Sequence, residues 1–103
     1  MHPLHISLLD GFEDEFVIIK VNKDNVFCKD EVFSKLGKGC AEILEVKVEE
    51  GEVEVEFSLP LRNLSEVIKI MVLSPIYLGF SIHHEKIQYK ASLQPLEKGC
   101  KTD

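Results

Sequence analysis

Apolar and polar residues alternate through the middle of the chain. Leu44, Val46 and Val48 are interleaved with Glu45, Lys47 and Glu49, and Val53, Val55, Phe57 and Leu59 with Glu52, Glu54, Glu56 and Ser58. A period of two sends successive side chains to opposite faces, so each stretch predicts a half-buried strand. Glu50-Gly51 separates the two, and Gly51 supplies the positive φ that a two-residue turn requires. A hairpin about that turn sets Val48 against Val53, Val46 against Val55 and Leu44 against Phe57. Its other face pairs Glu49 with Glu52, Lys47 with Glu54 and Glu45 with Glu56. A slip of one residue would bring glutamates opposite the core valines, which specifies the expected register.

Two segments fit a helical period instead. Asn63 stands where a helix cap would, with Glu66 three residues on, and Leu64, Val67, Ile68 and Met71 fall on one helical face. Pro75 disfavours helix at Ser74, so this helix is expected to end near Leu73. Residues 29 to 36 have acids in the first turn, an apolar face of Val32, Phe33 and Leu36, and Gly37 as a stop.

Phe16 to Val21 reads as a buried strand, with Leu4 to Leu9 as a candidate partner. Val26 to Cys28 either adds a short strand or leads straight into the first helix. Near the C-terminal end the alternation changes phase. Leu78, Phe80 and Ile82 are apolar on even positions; Ile87, Tyr89, Ala91 and Leu93 are apolar on odd ones. One straight strand cannot bury both sets, so His83 to Lys86 must form a hairpin loop or a bulge. A loop there sets Ile82 against Ile87 and Phe80 against Tyr89.

The resulting order is strand, helix, strand, strand, helix, strand. It predicts an α+β two-layer sandwich of ferredoxin-like type (βαββαβ), with two helices on one face of an antiparallel sheet and extra terminal strands. A looser ββα-ββα-ββ order fits the same pattern. Residues 1 to 94 are expected to form one domain and 95 to 103 a mobile tail. The stretch KLGKGCAEILEVKVEEGEVEVEF and the helix expected after it resemble the small domains of iron–sulfur assembly that run helix, hairpin, helix, strand. Those domains carry an acidic D-P-E start and a C-P near the second helix. The comparable place here reads SLPLRN, so the resemblance brings no functional residue with it.

Charge narrows the function classes. The net charge is −6, and residues 42 to 56 hold seven glutamates against Lys47, so the whole excess belongs to that segment. Nucleic-acid binding needs clustered Lys and Arg, and no such cluster exists. The most apolar run, Ile70 to Phe80, is too short for a membrane span and contains Pro75. The sequence shows no basic-then-apolar leader before an A-x-A-like site, so a cytoplasmic protein is expected. Cys28, Cys40 and Cys100 are odd in number and match no zinc or redox spacing.

Candidate chemistry is sparse. His83, His84 and Glu85 are metal-ligating residue types, but neighbours on a strand point apart and no H-x-H, HExxH or CxxC completes a ligand set. Cys28, just before an expected helix, is the candidate reactive thiol, because helix N-termini stabilise thiolates. The glycines of "LGKGC" follow a helix rather than open one, so the stretch reads as a connector, not a phosphate loop. With no catalytic constellation and no cofactor signal, the expected function is a non-catalytic interaction or assembly module. Its expected docking surface is the acidic face of Glu45, Glu49, Glu52, Glu54 and Glu56, and its expected partner a basic protein or a second copy. The alternatives are a metal- or thiol-dependent protein built on Cys28 and the histidines, and a ligand-binding regulatory domain.

Overall fold

The computed structural model describes residues 1–33 and 42–94. Eight strands follow one another: β1 (His2–Leu8), β2 (Glu15–Val21), β3 (Asp24–Val32), β4 (Glu42–Val48), β5 (Gly51–Leu59), β6 (Leu64–Val72), β7 (Ile76–His83) and β8 (Lys86–Ser92). One 3-10 turn, Pro60–Arg62, separates β5 from β6. Among the described residues there is no α-helix, so the expected ferredoxin-like sandwich with two helices on one face is replaced by a sandwich of two sheets. Sheet A has the order β4-β1-β7-β8 and sheet B the order β3-β2-β5-β6. All neighbours are antiparallel except β1 and β7.

The two helix assignments fail for different reasons. Residues 64 to 72 satisfy a helical spacing through Leu64, Val67, Ile68 and Met71. They satisfy a strand spacing equally through Leu64, Ile68, Ile70 and Val72. Val67, Ile68, Ile70 and Val72 are β-branched, and such side chains fit a pleated sheet better than a helix. Beside β5 they pair in unbroken register from Gly51↔Val72 to Leu59↔Leu64. Asn63 is no helix cap: it lies in the left-handed region (φ 56°) and closes the 3-10 turn by donating its N–H to the Pro60 carbonyl. In the earlier segment, β3 continues through Val32, which removes the expected helix start at residue 29. Residues 34 to 36 of that expected helix, and the expected tail at 95 to 103, lie outside the described residues.

The acidic stretch is not a hairpin. β4 pairs with β1 (Val46↔Leu4), and β5 pairs with β2 and β6. At Glu49-Glu50 the chain leaves sheet A for sheet B, with Gly51 at φ +128°. The alternation identified the inward faces correctly, since Val48, Val53, Val55, Phe57 and Leu59 are buried. It misassigned the neighbour. The resemblance to helix–hairpin–helix domains of iron–sulfur assembly falls with it. Likewise β1 does not pair with β2 but lies in the opposite sheet.

Two features close the sandwich. β1 continues past its end, as Leu9 donates to the Phe80 carbonyl and Ile82 to the Asp10 carbonyl. Gly11 (φ +90°) then turns against β7 so closely that a Cβ would sit 2.0 Å from the Ile82 oxygen, which leaves room for glycine alone. The turn delivers Phe12 into the core, edge-on to Phe57 at 6.1 Å, while Phe57 stacks on Phe80 across the sheets at 4.4 Å. β3 lies beside β4, joined by a Lys29–Glu42 ion pair, and β6 lies beside β8. The β7–β8 hairpin has the expected pairing, Ile82↔Ile87 and Phe80↔Tyr89. Its loop is tighter than four residues: His83 pairs with Lys86, and only His84 and Glu85 turn.

Candidate interaction surface

Strand β6 is an edge strand whose nine residues bear one acid and one base, Glu66 and Lys69. Its outward side chains alternate with the buried Ile68 and Val72, leaving Val67 52% and Met71 57% exposed. Among the described residues no strand pairs with its free edge. A long, regular, apolar edge presents unpaired backbone N–H and C=O groups to any incoming strand. The other three edges are blunted. β3 shifts register against β2 at two places and holds Glu31 in the left-handed region. β4 carries Glu42, Glu45 and Lys47, with Glu42 tied to Lys29. β8 carries Lys86 and Lys90. Bulges and charges of this kind are how edges avoid pairing.

The acidic residues do not form one face. Glu52, Glu54 and Glu56 stand on the outer face of sheet B, next to β6. Glu45 stands on the outer face of sheet A, and Glu49 lies in the crossover between the sheets. Glu45 is 3.7 Å from both His5 Nδ1 and Lys47 Nζ. On sheet B, Glu54 pairs in register with Lys69, and Glu56 lies opposite Lys20 on β2 and Val67 on β6. Opposite charges across strands are favourable, so the structure removes the like-charge ladder that the hairpin implied.

His83 ends β7, whereas His84 and Glu85 form the turn with φ of 52° and 60°. His2 and His5 are on β1, beside Glu50 and Glu45. Among the described residues no three His, Cys, Asp or Glu side chains gather where they could hold a metal ion. Cys28 is an exposed free thiol on β3 opposite Ile18; the helix start that motivated its candidacy is a strand.

One charged site escaped the sequence reading. Glu15 is 4% exposed, and its carboxylate accepts two hydrogen bonds from Arg62 Nε at 2.9 and 3.0 Å and one from the guanidinium terminus at 2.5 Å. The hydrogen bonds to Glu15 raise the Arg62 pKa, burial opposes this, and the charges of Glu15, Glu85 and Glu13 add to the rise. Arg62 is the single arginine of the chain, and that was the one signal available. The pair pins the 3-10 turn onto the start of β2.

The outer face of sheet A carries a shallow trough of about 290 Å³, lined by Asp10, Gly79, Ser81, His83, Gln88 and Lys90. At its neighbouring row, His5 and Tyr77 stack at 4.4 Å. No family model, no curated protein and no solved structure matches this chain. No helix among the described residues is long and apolar enough to cross a membrane.

Proposed function

We propose that the protein is a non-catalytic β-sandwich interaction module of the cytoplasm, and that its docking element is the β6 edge. The observation that carries this reading is the contrast between edges: β3 is bulged, β4 carries two glutamates and a lysine, β8 carries two charges of like sign, and β6 carries exposed Val67 and Met71 in an unbroken ladder with its two charges of opposite sign. An incoming strand gains main-chain hydrogen bonds along β6 and covers those two side chains, the mode of recognition known as strand addition. Glu52, Glu54 and Glu56 flank the edge, so a strand bearing a basic side chain on that face is favoured.

Recovery of associated proteins at native expression level tests the reading. The double variant Val67→Lys and Met71→Lys places charge on the edge without touching the core. Its associated proteins, further copies of the chain included, are expected to be lost, while a control Gln88→Ala on sheet A retains them. Equal recovery by wild type and double variant would remove the basis of the proposal.

A further inference from the structure

The partner strand, we infer, is β6 of a second copy, paired antiparallel about a two-fold axis through Ile68. This rests on the proposed use of the β6 edge and names its occupant. Residues that face one another across an antiparallel pair point to the same side of the sheet. A symmetric pairing of β6 with itself is therefore centred on a residue, and three centres bring most of the strand into play: Val67, Ile68 and Lys69. A centre at Lys69 sets that lysine against its own copy, which is unfavourable. A centre at Val67 leaves Met71 and Val72 of each copy without a partner in the strand. The centre at Ile68 is the midpoint of Leu64–Val72, so every residue of β6 gains a partner, from Leu64 against Val72 to Ile68 against itself.

Charge agrees with this register. In the β5–β6 ladder Glu54 lies opposite Lys69, and Glu56 opposite Val67. The Ile68 centre places the second copy's Val67 opposite Lys69, so the row across the joint reads Glu54, Lys69, Val67, Glu56. Each lysine then has one carboxylate on its own side and another reached by its stem over the second copy's Val67. The same row occurs twice by symmetry. Thus the basic side chain favoured beside the acidic row is supplied by the chain itself.

The area suffices. A nine-residue strand is about 30 Å long, and two sheets packed about 10 Å apart make, with their outer side chains, a flank about 20 Å wide. That gives roughly 600 Å² per copy and about 1,200 Å² in total, the lower end of the range for specific interfaces. Such a joint extends sheet B to eight strands. It also brings β8 of each copy alongside the other, covering Tyr89, which is 49% exposed on the same flank.

Sedimentation equilibrium over about 1 to 500 μM, the range that an interface of this size addresses, provides the test. The wild-type chain is expected to dimerise in the micromolar range. Val67→Lys with Met71→Lys is expected to raise the dissociation constant by about 100-fold or more, with unchanged circular dichroism. A second arm reads the register in a background with Cys28, Cys40 and Cys100 changed to serine. Mixed Val67→Cys and Lys69→Cys proteins should form a disulfide-linked heterodimer on oxidation, whereas Val67→Cys alone should not link to itself. A wild-type monomer at the top concentration overturns the inference, as does a dimer indifferent to the two lysines or a self-linked Val67→Cys. A monomer whose other associated proteins still depend on Val67 and Met71 would overturn only the second copy as occupant and leave the β6 edge as the docking element.

Discussion

Arg62 and Glu15 show what one ion pair asks of its surroundings. The Glu15 carboxylate is buried and has a bidentate guanidinium as its partner, while the arginine side chain keeps 28% of its surface in contact with water. Removing one member of such a pair costs more than the pair contributes, because a buried charge is left alone. Arg62→Leu is expected to lower stability by about 3 kcal/mol in urea unfolding. Glu15→Leu with Arg62→Leu is expected to lose about 1 kcal/mol or less, since neither charge is then stranded. Equal losses from the single and double variants would contradict this account. The sign of the pH effect follows from the raised Arg62 pKa: its stabilisation is complete below the ordinary arginine range and is lost only as pH climbs through the still higher folded value. Deprotonation of Arg62 therefore contributes nothing to unfolding between pH 4 and 10.

At the level of elements, the hairpin turns are the places where backbone conformation and sequence disagree. His84 and Glu85 both occupy the left-handed region, and so do Asn22 and Lys23 between β2 and β3. Asn22 is suited to this, and its side-chain oxygen accepts the Glu54 N–H at 2.9 Å. Among the described residues the side chains of His84 and Glu85 make no such hydrogen bond, and non-glycine residues with positive φ are strained. His84→Asn with Glu85→Gly is expected to stabilise the protein by about 1 kcal/mol, raising Tm by roughly 4–8 °C. A fall in Tm would count against a primed turn at this position.

The same hairpin shows what was legible. A phase change between Ile82 and Ile87 fixed both the turn and the register, because burial of one face constrains parity. Burial constrains parity only, however, and not the identity of the neighbour. Glu50-Gly51 serves a hairpin and a crossing between sheets equally well, so the alternation suggests pairing β4 with β5 although they belong to opposite sheets. In β6 the spacing of Leu64, Val67, Ile68 and Met71 suits a helix, and the β-branched content was the better guide. That helical spacing hides the open β6 edge, since it counts Val67 and Met71 toward a buried helical face. Adjacency in sequence suggests one carboxylate surface; the crossover sends the carboxylates to opposite sides.

For the whole molecule, long-range pairing dominates. β1 meets β7 in parallel, with Leu4 opposite Ile76, and along the sequence two strands of the other sheet intervene before its second neighbour, β4. All-β sandwiches with such non-local pairing close large loops before contacts form, so refolding is expected on the order of milliseconds to seconds. Stopped-flow fluorescence of Tyr77 and Tyr89 measures it, and microsecond refolding would be incompatible with this order of strands.

That placement of β1 has a consequence for synthesis. Of the described strands the ribosome releases β1 first, but its neighbour β7 begins at Ile76, after β2 to β6 have emerged. Sheet B has all four of its strands by Val72, while sheet A then has only β1 and β4. A nascent chain at that stage holds the edge of β1 open, with Ile76, Leu78, Phe80 and Ile82 of the shared core still untranslated. An open strand edge over exposed apolar surface makes an incomplete chain prone to aggregate, and the Phe80 ring that stacks on Phe57 is among the last large core side chains to arrive.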